Sequence, residues 1–146
     1  MSTYKFYVND YLSLEARANN NEDIEELIKD EKGLYKPVHF SLFRLNYMGE
    51  AYVGRFTLAP MPGCCGIVIS TDTWLEPSAR NSGFSDEFRK LKHKLAKDLG
   101  YSVMIATTQT KDIPAFKNML KSNYEIVKVF RNKRTDNDIA IGVKTL

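Results

Sequence analysis

Cysteine and histidine are scarce in this sequence. Its 146 residues include two cysteines, Cys64 and Cys65, which are adjacent, and two histidines, His39 and His93. Adjacent cysteines do not join separate parts of a chain, so we interpret both as free thiols in a reducing compartment. The histidines show no metal-ligand spacing, and we therefore expect no metal site.

Long apolar runs are missing as well. No window approaches the roughly 18 consecutive apolar residues of a transmembrane helix. Residues 1–10 contain polar groups throughout and lack the apolar segment of a signal peptide. We therefore expect a cytoplasmic protein with no membrane partner.

The composition favours a folded chain. Apolar residues make up 43% of it and aromatic residues 12%, while the net charge is only +3, a combination that disfavours disorder. The length, and the absence of repeats and linkers, predict one domain over residues 1–146.

Charge is distributed unevenly along the chain. Residues 20–31 hold six acids against Lys29, and residues 117–134 hold six bases against Glu125. Such runs are most often solvated surfaces, and binding of a polyanion such as nucleic acid by the basic run is the alternative.

Apolar periodicity and turn residues predict the elements. We expect strands at 4–8, 65–75 and 101–107, helices at 10–18, 22–31, 84–99 and 113–122, and hairpins over 38–58 and 124–143. The resulting order, β-α-α-β-β-β-α-β-α-β-β, predicts an α/β (α+β) fold with a mixed sheet flanked by about four helices.

One strand-to-helix junction carries a chemical pattern. Residues 75–85 read L-E-P-S-A-R-N-S-G-F-S, so that Pro77 stops a strand, Arg80 lies in the loop and Gly83 precedes a helix. The first N–H groups of a helix lack intrahelical partners and, with the helix dipole and an arginine, favour a phosphate. The alternative is an ordinary helix start with a surface arginine.

The same junction resembles the pyrophosphate loop of the GNAT (acyl-CoA N-acyltransferase) superfamily, V-x-P-x-x-[QR]-x-x-G-x-[GA]. Pro77, Arg80 and Gly83 match it, and Leu75 takes the place of the valine. Ser85 is a mild departure from the final Gly or Ala, and Asn81 replaces the glycine that commonly follows the arginine. The resemblance extends to the following elements. A second helix opens with Asp112 and Ala115 in an N-x-x-A-like arrangement, and Asn123-Tyr124 stands where the family has a G-F pair.

The resemblance implies a GNAT-like, mostly antiparallel sheet and an N-acetyltransferase that uses acetyl-CoA as acyl donor. The acceptor would be a small-molecule amine or a protein lysine or N-terminus, and a homodimer is left open. The residues expected to bind the cofactor are Trp74, Leu75, Arg80, Asn81, Ser82, Gly83, Phe84, Ser85 and Asp112. A side chain such as Trp74 at a strand end can also serve packing alone.

Catalytic roles are only partly assigned by the resemblance. The family's usual tyrosine acid, four residues after Ala115, is Met119 here, which has no proton to donate. We take Tyr124 as the candidate acid, with Tyr101 or Ser102, no acid, or lost catalysis as alternatives.

The candidate base is Asp72, the carboxylate inside the strand before the loop, whose alternative is a solvent-facing polar residue. Glu50 and His39 are weaker base candidates. Backbone N–H groups of Trp74 and Leu75 are the expected donors to the reacting carbonyl oxygen. Two other functions stay open: a GNAT-fold structural or interaction protein without catalysis, and a nucleic-acid-associated role.

Overall fold

A computed structural model describes residues 2–30, 32–80 and 84–146. These residues form eight β-strands and three α-helices. In chain order the elements are β1 (Thr3–Tyr7), β2 (Ser13–Ala18), α1 (Ile24–Asp30), β3 (Val38–Asn46), β4 (Gly49–Pro60), β5 (Ile67–Leu75), α2 (Phe84–Asp98), β6 (Val103–Gln109), α3 (Ile113–Lys121), β7 (Glu125–Asn132) and β8 (Asn137–Thr145). A short 3-10 helix, Pro77–Ala79, lies between β5 and α2.

All eight strands belong to one sheet, in the order β1-β2-β3-β4-β5-β6-β8-β7. The pair β5–β6 is parallel, and every other neighbouring pair is antiparallel. A parallel pair needs a crossover connection, and α2 provides it. The sheet is therefore mixed and mostly antiparallel.

The hydrophobic core lies between α2 and one face of this sheet. The apolar stripe of α2 is buried, with Phe88, Leu91 and Leu95 almost inaccessible to solvent. The Phe88 ring meets Phe56 of β4 edge-on at 5.5 Å, and Phe56 stacks on Phe40 of β3 at 4.9 Å. Because side chains alternate along a strand, the residues on either side of Phe56 point to the opposite face.

One predicted helix is wrong. Residues 10–18 were expected to be helical, but Ser13–Ala18 forms β2 and pairs with β1 and β3. Leu14, Ala16 and Ala18 are all buried at a spacing of two. A spacing of four fits a strand as well as a helix, since four is a multiple of the strand period. The chain therefore has three α-helices over its described residues rather than about four.

The other elements agree with prediction to within a few residues. The β3–β4 and β7–β8 hairpins, the long helix α2 and the strand β6 all form where their patterns place them. The Asp112 side chain caps α3 by accepting a hydrogen bond from the Ala115 N–H at 3.2 Å. None of the three helices of the described residues is long and apolar enough to cross a membrane.

An irregularity in β5 shapes the end of that strand. Arg55 pairs with Trp74 and Thr57 with Thr71, so β5 has one residue more than β4 in this interval. Asp72 adopts a φ of +51°, as expected for a residue in a β-bulge. Next to the bulge the backbones approach so closely that a Cβ added to Gly54 would lie 2.4 Å from the Trp74 carbonyl oxygen.

We predict that Gly54→Ala lowers the free energy of unfolding by about 1–3 kcal/mol, because the new methyl group must push against backbone that cannot rotate away. Urea unfolding measures the change. The control is Gly142→Ala, whose new Cβ meets the Met119 thioether first. Because that side chain is flexible and can move aside, this variant should lose less unfolding free energy than Gly54→Ala. An unfolding free energy of Gly54→Ala equal to that of the wild type would contradict the close approach of Gly54 to the Trp74 carbonyl.

Candidate functional site

The parallel strands β5 and β6 separate before they end. Their ladder runs from Ile67–Val103 to Ser70–Ala106 and then stops. Beyond it, residues 71–75 stay paired only with β4, and residues 107–109 only with β8. We call the gap between these two strand ends the fork. It is a cleft in the sheet whose two walls are each held by an outer neighbour.

The loop after β5 begins at the fork and is built tightly at its start. The Glu76 N–H donates to the Val53 carbonyl at 2.8 Å, and the Pro77–Ala79 turn follows. The exposed Arg80 donates from Nε to the carbonyl oxygen of Leu75 at 2.9 Å. This bond holds Arg80 against the end of β5, beside the fork.

Three of the predicted cofactor-binding residues, Asn81, Ser82 and Gly83, lie outside the described residues. The description resumes at Phe84, the first residue of α2, which is buried, followed by the half-buried Ser85. In the first turn, Asp86 forms an ion pair with Arg89, and Glu87 pairs with Lys90 at 3.3 Å. The acids of this turn are therefore engaged along the helix by bases three residues later.

Across the fork, α3 begins just after β6. Asp112 is exposed, and its carboxylate caps α3 through Ala115. The predicted cofactor-binding residue thus has a capping role of its own. Because the carboxyl ends of parallel strands lie at one edge of a sheet, Leu75, Arg80 and Asp112 all belong to the same edge.

Asp72 and Trp74 point away from the core. The Asp72 carboxylate is exposed and forms an ion pair with Arg55 at 3.6 Å. The Arg55 guanidinium lies 5.3 Å from the centre of the Trp74 ring. Both residues therefore stand on the sheet face opposite α2, next to the fork, while the Trp74 backbone forms part of its wall.

Tyr124 lies on the other side of the sheet, under the helices. Its hydroxyl is 2.8 Å from Nε2 of His93 on α2 and 3.2 Å from the Met104 sulfur. Met104 pairs with Val68, two residues before the β5–β6 ladder stops. Met119, also buried, reaches over Gly142, the residue that pairs with Ala106. Tyr124 and Met119 are thus both close to the closed end of the fork.

Burial and neighbouring cations control protonation here. Burial raises the pKa of the Tyr124 hydroxyl well above its ordinary value. Burial, and then the charges of Lys92, Lys144 and Arg89, lower the pKa of His93 to about 3. His93 is therefore neutral near neutral pH, and the hydroxyl of Tyr124 keeps its proton.

Lys92 adds an unusual cation to this region. It is 6% exposed, and burial, followed by the charge of Arg89, lowers its pKa to about 8. No carboxylate pairs with it in the described part of the chain, and its Nζ lies 5.4 Å from the centre of the Phe88 ring. Lys144 donates to the Ser122 carbonyl at 2.8 Å nearby. The helix side of the fork is therefore rich in positive charge.

Sequence reasoning missed three polar residues of this region: His93, Lys92 and Ser70. His93 and Lys92 lie at the edge of the apolar stripe of α2. Polar residues next to that stripe were the only sequence feature that could have indicated them. The buried Ser70 Oγ has no hydrogen-bond partner among the described residues, and it belongs to the last pair before the fork. His39, weighed as a base, contacts Thr57 at 2.7 Å instead.

The predicted basic run is partly neutralised within its own hairpin. Arg131 of β7 donates to the carboxylates of Asp138 at 2.9 Å and Asp136 at 3.0 Å. These acids follow directly after the run of residues 117–134. The local charge excess is smaller than the sequence count implies.

Comparisons with known proteins identify the fold. No family model matches the sequence, and no curated protein matches it. Solved structures do. A GCN5-related N-acetyltransferase from Brucella melitensis has a TM-score of 0.66 at 15% identity, over 97% of this chain and 78% of that chain.

Two further structures are similar over nearly the whole chain. A GNAT family acetyltransferase from Elizabethkingia anophelis with acetyl-CoA bound has a TM-score of 0.69 at 12% identity, over 94% of this chain and 100% of that one. A spermidine/spermine N-acetyltransferase from Vibrio cholerae has a TM-score of 0.67 at 10% identity, over 95% of each chain. The chain has the fold of GNAT acetyltransferases, which confirms the predicted fold class.

We predict that His93 makes the protein sensitive to acid. In the unfolded chain, His93 binds a proton below its ordinary pKa of 6.5, whereas in the folded chain it stays neutral down to about pH 3. The free energy of unfolding therefore falls as the pH decreases from 6.5 toward 3. The share due to His93 is about 2 kcal/mol between about pH 7 and about pH 5. Urea unfolding of His93→Gln, which keeps a partner for Tyr124, should lack this share.

The matched control is Tyr124→Phe, which removes the hydroxyl but leaves His93 in place and should keep the wild-type acid dependence. Identical acid dependence in His93→Gln and wild type would show that the half-buried imidazole of His93 titrates in the folded protein as it does in the unfolded chain.

Proposed function

We propose that this chain is an N-acetyltransferase that takes an acetyl group from acetyl-CoA to an amine. The observation that carries the proposal is the fork, together with the loop that leads from it to the first turn of α2. When bound, acetyl-CoA supplies the acetyl group as a thioester. The residues around the fork are suited to hold it for three reasons.

The first reason is the fork itself. Where β5 and β6 separate, residues 71–75 and 107–109 no longer pair with each other, so an extended chain with amide groups can lie between them. The second is Ser70, whose buried Oγ has no partner among the described residues at the closed end of the fork. A buried hydroxyl of this kind favours a ligand or water that completes its hydrogen bonding.

The third reason is the first turn of α2. Free N–H groups and the helix dipole favour an anion at this end. The acids Asp86 and Glu87 are paired with Arg89 and Lys90, so they oppose an anion less than their number suggests. Arg80, held at the end of β5, adds a positive charge to the loop that leads to this turn. Asn81, Ser82 and Gly83 connect the two and are proposed as phosphate contacts on the sequence motif alone.

The reaction assigns different work to the two faces of the sheet. On the open face, Asp72 takes a proton from the acceptor ammonium, directly or through water, so that the nitrogen can react. The N–H group of Leu75 stabilises the negative charge that develops on the acetyl oxygen. The Trp74 N–H is turned toward β4, because Trp74 lies opposite Arg55 in the ladder in which the Glu76 N–H donates to Val53. Under the helices, Tyr124 donates a proton toward the departing sulfur, and its hydrogen bond with neutral His93 orients the hydroxyl.

One observation favours a second candidate, a GNAT-fold protein that binds acetyl-CoA without turnover. Met119 replaces the expected tyrosine acid, and Tyr124 is only 7% exposed. A buried hydroxyl with a raised pKa is a weak proton donor. Such a protein would use the same fork and loop but release no CoA.

A reducing, cytoplasmic setting is part of the proposal. It is supported by Cys64 and Cys65, which are exposed and unpaired and would be vulnerable to oxidation elsewhere.

We predict that acetyl-CoA raises the melting temperature by several degrees. A ligand at about 100 times its Kd stabilises a folded protein by about 2.7 kcal/mol. Arg80→Ala combined with Gly83→Glu should abolish the shift, because it removes a positive charge and adds a negative one in the motif. Lys133→Ala, a change in the β7–β8 turn, is the control and should keep it.

Release of free CoA in the presence of amines then separates the two candidates. Turnover supports the transferase, and a thermal shift without turnover supports the binding protein. No thermal shift at saturating acetyl-CoA would overturn both.

A further inference from the structure

Three aromatic rings form a continuous surface on the sheet face opposite α2. Phe43 of β3 meets Tyr52 of β4 edge-on at 5.8 Å, and Tyr52 lies 6.4 Å from Trp74 of β5, measured between ring centres. We call these three rings the aromatic surface. It crosses three neighbouring strands and ends at Trp74, at the wall of the fork.

The aromatic surface is open to solvent. Tyr52 is 41% exposed, Phe43 and Trp74 are partly exposed, and the adjoining Arg55 and Asp72 are exposed. Single exposed aromatic residues are common on proteins, whereas a contiguous apolar patch beside a cleft is typical of a binding site. The position of the aromatic surface is the stronger argument for binding, because it ends two residues from Asp72, the proposed base.

Two cations already lie on the aromatic surface. The guanidinium carbon of Arg17 is 3.9 Å from the centre of the Phe43 ring, and that of Arg55 is 5.3 Å from the centre of the Trp74 ring. Aromatic faces attract cations through their quadrupole. The faces of these rings thus favour planar groups and positive charge. The Tyr52 face between them has no such cation among the described residues.

Charge next to the aromatic surface is negative in sum. Arg17 pairs with Glu15 and Glu50, and Arg55 pairs with Asp72, so two positive charges face three negative ones. The hydrogen bond from Arg17 holds the pKa of Glu50 below its ordinary value, and Glu50 therefore keeps its charge at neutral pH. This balance favours a cationic ligand over an anionic one.

From this geometry we propose, resting on the acetyltransferase function above, that the acceptor is an aromatic primary amine: an aromatic ring joined to an ammonium group by a short alkyl chain, without a carboxylate. The ring lies on Tyr52 and Trp74. The ammonium group points toward Asp72 and the fork.

The reaction balances for such an acceptor. The ammonium group loses one proton to Asp72 and from there to solvent, and its nitrogen forms a bond to the acetyl carbon. The carbon–sulfur bond breaks, its electron pair leaves with sulfur, and the second proton lost by nitrogen ends on that sulfur. The products are an aromatic acetamide and free CoA.

Trp74 allows a direct binding test, because it is the only tryptophan of the chain. The probe is 2-phenylethylamine, titrated while tryptophan emission is excited at the red edge of its absorption. Two matched ligands are compared: 2-cyclohexylethylamine, which has a similar shape but no aromatic face, and phenylalanine, which adds a carboxylate. We expect saturable quenching or a spectral shift with the probe, and at least severalfold weaker binding of both matched ligands.

Variants locate the binding. Tyr52→Leu should weaken binding of the probe about threefold to tenfold, the range of a lost aromatic contact, and Tyr52→Phe should restore it. Tyr35→Leu makes the same change at a more exposed tyrosine before β3, which is 79% accessible against 41% for Tyr52, and it should have no effect. Melting temperatures show whether each variant is folded. If Tyr52→Leu does not fold, the comparison of Tyr52→Phe with wild type still tests whether an aromatic ring at this position is sufficient for binding.

Several outcomes would overturn the proposal. Equal binding of 2-cyclohexylethylamine or tighter binding of phenylalanine would exclude an aromatic, carboxylate-free acceptor. A concentration-dependent shift of Trp74 emission without amine would indicate that a second copy of the chain covers the surface.

Acetyl-CoA assays separate this proposal from the one it rests on. Turnover of 2-cyclohexylethylamine at the same rate as the aromatic amine would overturn the aromatic acceptor while the transferase stands. Aromatic-selective quenching without any acetyl-CoA thermal shift would overturn the transferase, and with it the role of the bound amine as an acceptor.

Discussion

The separation of β5 from β6 is the constraint on which the rest of the site depends. Two parallel strands that pair over only four residues each would normally fray at their free ends, yet both ends are held from outside. The bulge at Asp72 keeps β5 on β4, and the unbroken ladder of residues 107–109 keeps β6 on β8. The fork is therefore a preformed opening in a rigid sheet, and a ligand does not have to break a ladder to enter it.

The fork also joins two environments that the sheet otherwise keeps apart. On the helix side, Tyr124 and Lys92 are buried, His93 is half-buried, and positive charge exceeds negative. On the open side, the aromatic surface and its carboxylates are accessible to solvent. On the functions proposed here, an anionic acyl donor and a cationic acceptor would approach from opposite sides and meet only at the fork.

Sequence reasoning predicted the elements around the candidate site that depend on local chemistry. Pro77 marked the end of β5, the stripe from Phe84 to Leu99 marked α2, and Asp112 marked the start of α3. It failed at residues 10–18, because Leu12 and Ala16 are spaced as in a helix and also as in a strand. It also missed the hydrogen bond between His93 and Tyr124, whose residues are 31 positions apart in the chain.

The sequence by itself determined most of the segments that form this sheet and its helices, because caps, turns and apolar periods act over a few neighbouring residues. Only the tertiary structure decided that β5 and β6 separate, that Phe43, Tyr52 and Trp74 share one face, and that the buried Lys92 and the half-buried His93 have no carboxylate partner in the described part of the chain. These features arise from strand order, register and burial, which depend on contacts between residues distant in the chain and leave no mark on any short stretch of sequence.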